Sequence, residues 1–244
     1  NGDFSQEGSE LITNGDFATD TDWSMQTSWS IANGSANFDG LASHYIQQSN
    51  VFAANTNYKL TFTISNNTSG IISIRDGAAA VLVPNTNYTN GTYTFYITST
   101  ANTSLKIFGV GGSGTLSIDN VSCVEVGQDW TLGTGVTISG GKAVFTNVSN
   151  ATQGIAQSNV AVIGKTYKIT FTISDYNQGA VYIIRPTSLG SGSAVSSNGT
   201  FTFTLEAQTS TAFILFTVGT TTLKIDNISV IEIIGDKPRI DYSD

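Results

Sequence analysis

The sequence predicts an all-β chain built as two tandem antiparallel β-sandwiches. Three observations lead there: apolar residues alternate with a period of two, turn signals punctuate the runs, and the first half returns in the second in the same order. "DWSMQTSWSIANGSANF" (Asp22 to Phe38) aligns with "DWTLGTGVTISGGKAVF" (Asp129 to Phe145). "IQQSNV" returns as "IAQSNV", "YKLTFTIS" as "YKITFTIS", "ISIRD" as "YIIRP" and "NGTYTF" as "NGTFTF". Constant order at a nearly constant offset marks a duplication. It divides the chain into a first module at 10–126 and a second at 127–234, with a partial repeat or linker at 1–9 and a linker into a following module at 235–244.

Taken in order, the segments read as strands. In "YKLTFTIS", Tyr58, Leu60, Phe62 and Ile64 share one face, and Lys59, Thr61 and Thr63 share the other. "TYTFYI" turns Tyr93, Phe95 and Ile97 inward. The second module repeats this with Tyr167, Ile169, Phe171 and Ile173, then with Phe201, Phe203 and Leu205. Threonine and β-branched residues dominate, and Asn-Gly and Gly-Gly pairs separate the runs. No segment has the period of an amphipathic helix. Eight or more short, half-buried strands per module point to sandwiches of the jelly-roll kind.

Composition sets outer bounds. The chain has 244 residues, 39% hydrophobic and 11% charged, which is a globular balance. A module of roughly 100 residues still buries about two thirds of its unfolded surface, so two cores are affordable. No apolar run approaches the ~20 residues of a membrane-spanning helix, and no signal peptide is visible. Because the chain opens on Asn1 instead of methionine, it is expected to be a processed or cut piece of something longer. A formal charge of -8, with ten Lys plus Arg thinly spread, supplies no basic stripe for nucleic acid or an anionic membrane. Cys123 is the single cysteine and sits in an apolar run, so it reads as a buried, inert thiol.

One polar interruption occurs twice. "TLSIDNVSCVEV" (Thr115 to Val126) and "TTLKIDNISVIEI" (Thr221 to Ile233) both break an apolar strand with Asp-Asn, at Asp119-Asn120 and Asp226-Asn227. Leu116 and Ile118 point inward by alternation, but Val121 and Cys123 fall on the opposite parity. The phase slips as it does at a β-bulge. Two readings stand at this point. In one, Asp and Asn bond the backbone groups that a bulge leaves unpaired. In the other, the carboxylate is one of six to eight oxygen ligands of a structural calcium, some of them backbone carbonyls from the strand entering the module.

The frame "LITNGDFATDTDW", "YKLTFTIS", "LSIDNVSCVEV" resembles the jelly-roll carbohydrate-binding modules of families four, nine and twenty-two. The resemblance covers nearly all of both repeats. It implies non-catalytic domains that bind glycan chains on a concave sheet face or at loop tips, and that hold a structural calcium between the first and last strands. By that resemblance Asp16 and Asp119 are calcium candidates in the first module and Asp226 in the second. Two departures qualify it: Ala18 stands where the family often has Glu, and the second module passes from "VEV" into "GQDW" with no "NGDF" segment. Any calcium is therefore expected to be held better by the first module.

A sugar site needs an exposed aromatic face for pyranose C–H groups and planar polar side chains for hydroxyls. Parity offers Tyr45 and Gln47 beside inward Ile46, Arg75 after inward Ile74, and Tyr96 opposite the Tyr93/Phe95 core face. Trp29, near a loop, joins them. In the second module Val136, Gly154 and Thr204 replace Trp29, Tyr45 and Tyr96, while Gln157 and Arg185 persist, with Tyr182 expected inward. Trp23 and Trp130 recur beside aspartates and read as core residues.

Enzyme readings find little support. His44 is the only histidine, which excludes paired-histidine zinc sites, and no carboxylate pair recurs as a glycosidase would need. "GVGGSG" (Gly109 to Gly114) fits G-x-G-x-x-G, yet a strand follows it where a dinucleotide site needs a helix. "PRIDYS" near the end and the stuttered "NGDFSQEGSELITNGDF" opening are similar to bacteriophage tail-fibre proteins. That similarity implies an extracellular or virion setting, with neighbouring virion or filament proteins or a homotrimer as partners. Two functions follow: a glycan-binding adhesion fragment for polysaccharide or cell-surface glycan, in a phage receptor-binding protein or a secreted polysaccharide-degrading enzyme, or a spacer in a virion fibre or extracellular filament that binds no sugar. Matches to N-x-S/T, as at Asn90 and Asn198, are expected by chance in so Thr- and Asn-rich a chain.

Overall fold

A computed structural model describes residues 2–100, 104–151, 153–183, 193–208 and 211–234. The described residues form strands and turns, with antiparallel pairing throughout. No helix among them is long and apolar enough to cross a membrane. The chain divides into two compact units. One is Glu7–Val126; the other combines Asn1–Gln6 with Gly127–Asp244.

The first unit holds eleven strands: β1 (Glu7–Glu10), β2 (Ser24–Met25), β3 (Trp29–Ile31), β4 (Ala36–Phe38), β5 (Tyr45–Gln48), β6 (Asn57–Ser65), β7 (Ile72–Asp76), β8 (Val81–Thr86), β9 (Gly91–Thr98), β10 (Leu105–Gly109) and β11 (Leu116–Val126). One sheet runs β3-β4-β11-β6-β9, with β1 also on β11, and the other runs β2-β5-β10-β7-β8. Inward residues of both sheets meet in one core, with Leu60, Phe62 and Ile64 from β6, Ile118 from β11, and Ile46, Ile74 and Ile107 from the second sheet. Strict alternation along β6 is why it reads so plainly in the sequence.

The second unit follows the same course with seven strands: β12 (Thr131–Leu132), β13 (Val136–Ser139), β14 (Lys142–Val148), β15 (Gln153–Gln157), β16 (Thr166–Ile183), β17 (Gly199–Glu206) and β18 (Phe213–Glu232). Here β16 and β18 stay paired where the first unit breaks into β6 and β7, and into β10 and β11. Thr172 to Ser174 of β16 face Asp226 to Lys224, and Ala180 to Ile183 face Val218 to Leu215. The ladder shifts register between these stretches, and Gly179 and Gly219 take positive φ of 78° and 69°. Glycine suits such turning points because it lacks the Cβ that penalises this region. Hydrogen bonding in the second sandwich therefore runs on as one continuous seven-stranded sheet through these turning points, where the first unit has two separate sheets.

The Asp-Asn interruption is a β-bulge in both units. Asp119 pairs with Thr63 and Ser122 with Thr61, so β11 spends one residue more than β6 over that interval. Asp226 and Ser229 against Thr172 and Thr170 repeat it. Asn120 and Asn227 carry the kink in the left-handed region, at φ 52° and 53°. Each preceding aspartate folds back so that its Oδ1 accepts the asparagine N–H, at 2.6 Å for Asp119 and 2.7 Å for Asp226.

The opening segment departs from the sequence reading. Residues 1–9 do not act as one linker: Asn1–Gln6 belongs with the second unit, and β1 begins the first. The second unit does have an "NGDF" segment, taken from the far end of the chain. Phe4 lies 4.8 Å from Trp130, and the Ile228 N–H donates to the Gly2 carbonyl at 2.7 Å. In the first unit Phe17 lies 5.1 Å from Trp23, and the Val121 N–H donates to the Gly15 carbonyl at 2.8 Å. The stutter therefore has a folding role. The segment 235–244, read as a linker, lies outside the described residues.

Glu10 secures the strand after the first bulge. Its Oε1 accepts the Cys123 N–H at 2.8 Å and the Ile12 N–H at 2.9 Å, and its Oε2 accepts the Ser122 hydroxyl at 2.5 Å. Burial, with a smaller contribution from the Glu10 charge, pushes the Cys123 thiol up to about 12. Native Cys123 is therefore expected to resist iodoacetamide at pH 8 and to react fully once unfolded in denaturant, as mass spectrometry would show; comparable native reactivity would contradict the burial. Asn120→Val should destabilise the first unit by about 1–2 kcal/mol in urea titrations, because a β-branched residue strains the left-handed conformation, whereas Asn120→Gly should stay near wild type.

Candidate functional site

The outward face of sheet β2-β5-β10-β7-β8 gathers chemistry that the core-facing side lacks. Inward residues of β5, β10 and β7 are held in register, with Ile46, Ile107 and Ile74 opposite one another. Their neighbours must then form outward rows. Tyr45, Phe108 and Ser73 make one row; Gln47, Lys106 and Arg75 make the next. Ser24 of β2 extends the second row beside Gln47. With strands about 4.8 Å apart, three strands set these groups within about 10 Å of one another.

Two cations lie over two rings. Lys106 Nζ is 4.8 Å from the Tyr45 ring centroid, and Arg75 Cζ is 3.7 Å from that of Phe108. Such contacts attract through the ring quadrupole and hold the long side chains flat on the sheet. Arg75 Nε also donates to the buried Ser73 Oγ at 3.0 Å, and Lys106 Nζ donates to the Gly77 carbonyl at 2.9 Å. Among the described residues neither cation has a carboxylate partner, whereas Lys59, the third cation of this unit, pairs with Glu7 at 2.7 Å.

Of the candidates drawn from the sequence, Tyr45, Gln47 and Arg75 come together here. Lys106 and Phe108 join them and were missed, although the alternation in "LKIFG" puts both opposite Leu105 and Ile107. Trp29 is a correction: it is 4% exposed, its ring lies 5.1 Å from Phe38, and its Nε1 donates to the His44 carbonyl at 3.0 Å. It closes the core and offers no face to a ligand. Tyr96 stands on β9 in the other sheet, opposite Lys59, away from this cluster. His44 Nδ1 lies 3.2 Å from Thr27 Oγ1 and 3.3 Å from Ser28 Oγ, a local role in the turn.

The second unit keeps less. Its "IAQSNV" aligns Gln157 with Gln48 rather than Gln47, and Gln157 lines a cleft with Gly2, Trp130, Phe213 and Ile228. Arg185 lies outside the described residues. At Gly154, the position of Tyr45, a Cβ would sit 2.3 Å from the Phe145 ring, so no aromatic can stand there. Tyr182, expected inward, lies between buried Val181 and Ile183 on the opposite parity, its ring 6.1 Å from that of its cross-strand partner Phe216.

The calcium candidates do not assemble a carboxylate set. Asp16 is exposed and its Oδ1 accepts the Ala18 N–H at 3.3 Å, while Asp119 and Asp226 each turn one oxygen to the next residue's N–H. Among the described residues no group of three or more His, Cys, Asp or Glu is arranged to hold a metal. Asp119 and Asp226 thus serve the hydrogen-bonded bulge through one oxygen each, and Asp16 serves the turn that precedes it.

No protein-family model matches the chain. No curated protein matches it either. Among solved structures it is similar to the CBM22-1–CBM22-2 tandem of Paenibacillus barcinonensis Xyn10C, at 9% identity and a TM-score of 0.37, covering 94% of this chain and 99% of that one. The N-terminal cellulose-binding domain of Cellulomonas fimi β-1,4-glucanase C gives 16% identity and a TM-score of 0.33, over 48% of this chain and 96% of that one. The enzymatically active domain of bacteriophage CBA120 tailspike protein 4 gives 16% and 0.35, over 48% of this chain and 21% of that one.

If the bulge carboxylates serve only these backbone N–H groups, the thermal transitions of both units should be unchanged by a chelator or by millimolar calcium. A rise of several degrees with calcium, seen by calorimetry, would reinstate the metal reading.

Proposed function

We propose that the first unit is a non-catalytic carbohydrate-binding domain that takes polysaccharide or cell-surface glycan on the outward face of β5, β10 and β7. The observation that carries this reading is the two-row cluster of Tyr45, Phe108, Gln47, Lys106 and Arg75. Aromatic rings offer apolar faces to sugar C–H groups. The Gln47 amide and the Arg75 guanidinium are planar donors suited to neighbouring hydroxyls or to a carboxylate.

Charge narrows the ligand. Glu7–Val126 holds nine Asp and Glu against three Lys and Arg, a formal -6, yet both cations without a carboxylate partner share this one face. A glycan bearing uronate or sulfate groups suits that arrangement, since Lys106 can leave the Tyr45 ring to meet an anion while the ring accepts the sugar. None of the six row positions is a carboxylate, so the rows lack the carboxylate pair that glycoside hydrolysis uses. The domain acts outside the cell, as an adhesion element of a larger fibre or surface protein, a setting supported by the sequence resemblance.

A glycan array on the whole chain should show selective retention of acidic polysaccharides, weakening as salt rises. Arg75→Ala, Lys106→Ala and Tyr45→Ala should each weaken binding about tenfold, while Tyr96→Ala should bind as wild type. Undiminished binding by the three cluster variants would dismiss this face, and no retention on any glycan would leave the unit a spacer.

A further inference from the structure

We propose that the second unit carries a peptide-docking site whose ligand is the sequence Asn-Gly-Asp-Phe, recognised by its own chemistry and not by its connection to the unit it completes. The first unit shows the site with its ligand supplied by the residues that lead into it. Gly15 passes so close to the bulge that a Cβ would lie 2.0 Å from the Val121 carbonyl oxygen. Phe17 then takes φ 48°, a left-handed conformation that a bulky residue adopts only when packing compels it, and buries its ring on Trp23. Before the segment, the Gln48 amide exchanges two hydrogen bonds with the Thr13 backbone, at 2.9 and 2.8 Å.

The second unit repeats each element with a segment that precedes the other unit. A Cβ on Gly2 would lie 1.7 Å from the Ile228 oxygen, Phe4 takes φ 51°, and its ring is buried on Trp130. Asp3 tightens the turn by accepting the Ser5 N–H at 3.1 Å and the Ser5 hydroxyl at 2.8 Å, which lowers its pKa. Gln157 lines the adjoining cleft at the position of Gln48. The two units thus seat the same Gly-Asp-Phe run in the same way, although one ligand is continuous with its unit and the other is cut off from its unit by 120 residues, Glu7–Val126. What the seat reads is the missing glycine side chain, the glycine carbonyl and the aromatic ring, and a free peptide presents all three. The ligand class is therefore an extended peptide containing Asn-Gly-Asp-Phe, and the same segment of a second copy would meet the requirement.

Amide hydrogen exchange on the full chain tests this. Gly2→Val should speed exchange at the Ile228 amide at least tenfold and leave Val121 unchanged; Gly15→Val should do the reverse. Adding a synthetic peptide of the sequence LITNGDFAT to the Gly2→Val chain should restore protection at Ile228, and the same peptide with valine for its glycine should not. Phe4→Ala, a milder change, should give a smaller loss confined to the second unit. The proposal is overturned if Gly2→Val leaves Ile228 protected, if it exposes Val121 equally, or if the peptide does not restore protection.

Discussion

A backbone amide turned out of its ladder by a bulge governs both sandwiches. At Val121 and Ile228 the extra residue of the bulge rotates an N–H away from the neighbouring strand, and it must find an acceptor elsewhere. A buried donor left unmet costs about 1–3 kcal/mol. The acceptor in each case is a glycine carbonyl, at 2.8 and 2.7 Å, and only glycine can come so near. Much else follows from that approach. The following phenylalanine is driven into a left-handed conformation, a tryptophan covers it, and the aspartate before each kinked asparagine ties down the adjacent N–H.

Because that contact is local, the two units can differ widely around it. The first breaks its long strands into separate members of two sheets, whereas the second carries β16 and β18 onward as one paired ribbon with glycines at positive φ. Both arrangements keep the alternation that buries Phe62 and Phe171, and both hold the tyrosine hydroxyl that accepts a loop amide, from Ala53 to Tyr58 at 2.7 Å and from Val162 to Tyr167 at 2.8 Å.

The outward face of the first unit owes its character to register. The inward isoleucines of β5, β10 and β7 are interchangeable to the core, but their pairing compels Gln47, Lys106 and Arg75 into one line and Tyr45 and Phe108 into the next. In the second unit Gly154 lies against the Phe145 ring at the place of Tyr45, so the same core geometry presents a different surface. Cations resting on rings give the first unit a face that is at once apolar and positive within an acidic domain.

Period-two alternation in "YKLTFTIS" and its repeat was enough to establish strands, duplication and the all-β class, because side chains on a pleated strand must alternate whatever the strand pairs with. The parity slip at Asp119-Asn120 located the bulge by the same logic. Parity also found Tyr45, Gln47 and Arg75, yet it could not show that Trp29 turns into the core or that Tyr96 belongs to the opposite sheet, since both depend on which strands become neighbours. Nor could it reveal where Gly2–Phe4 docks: local sequence states what a segment needs, and only tertiary structure decides which of two equivalent seats it fills.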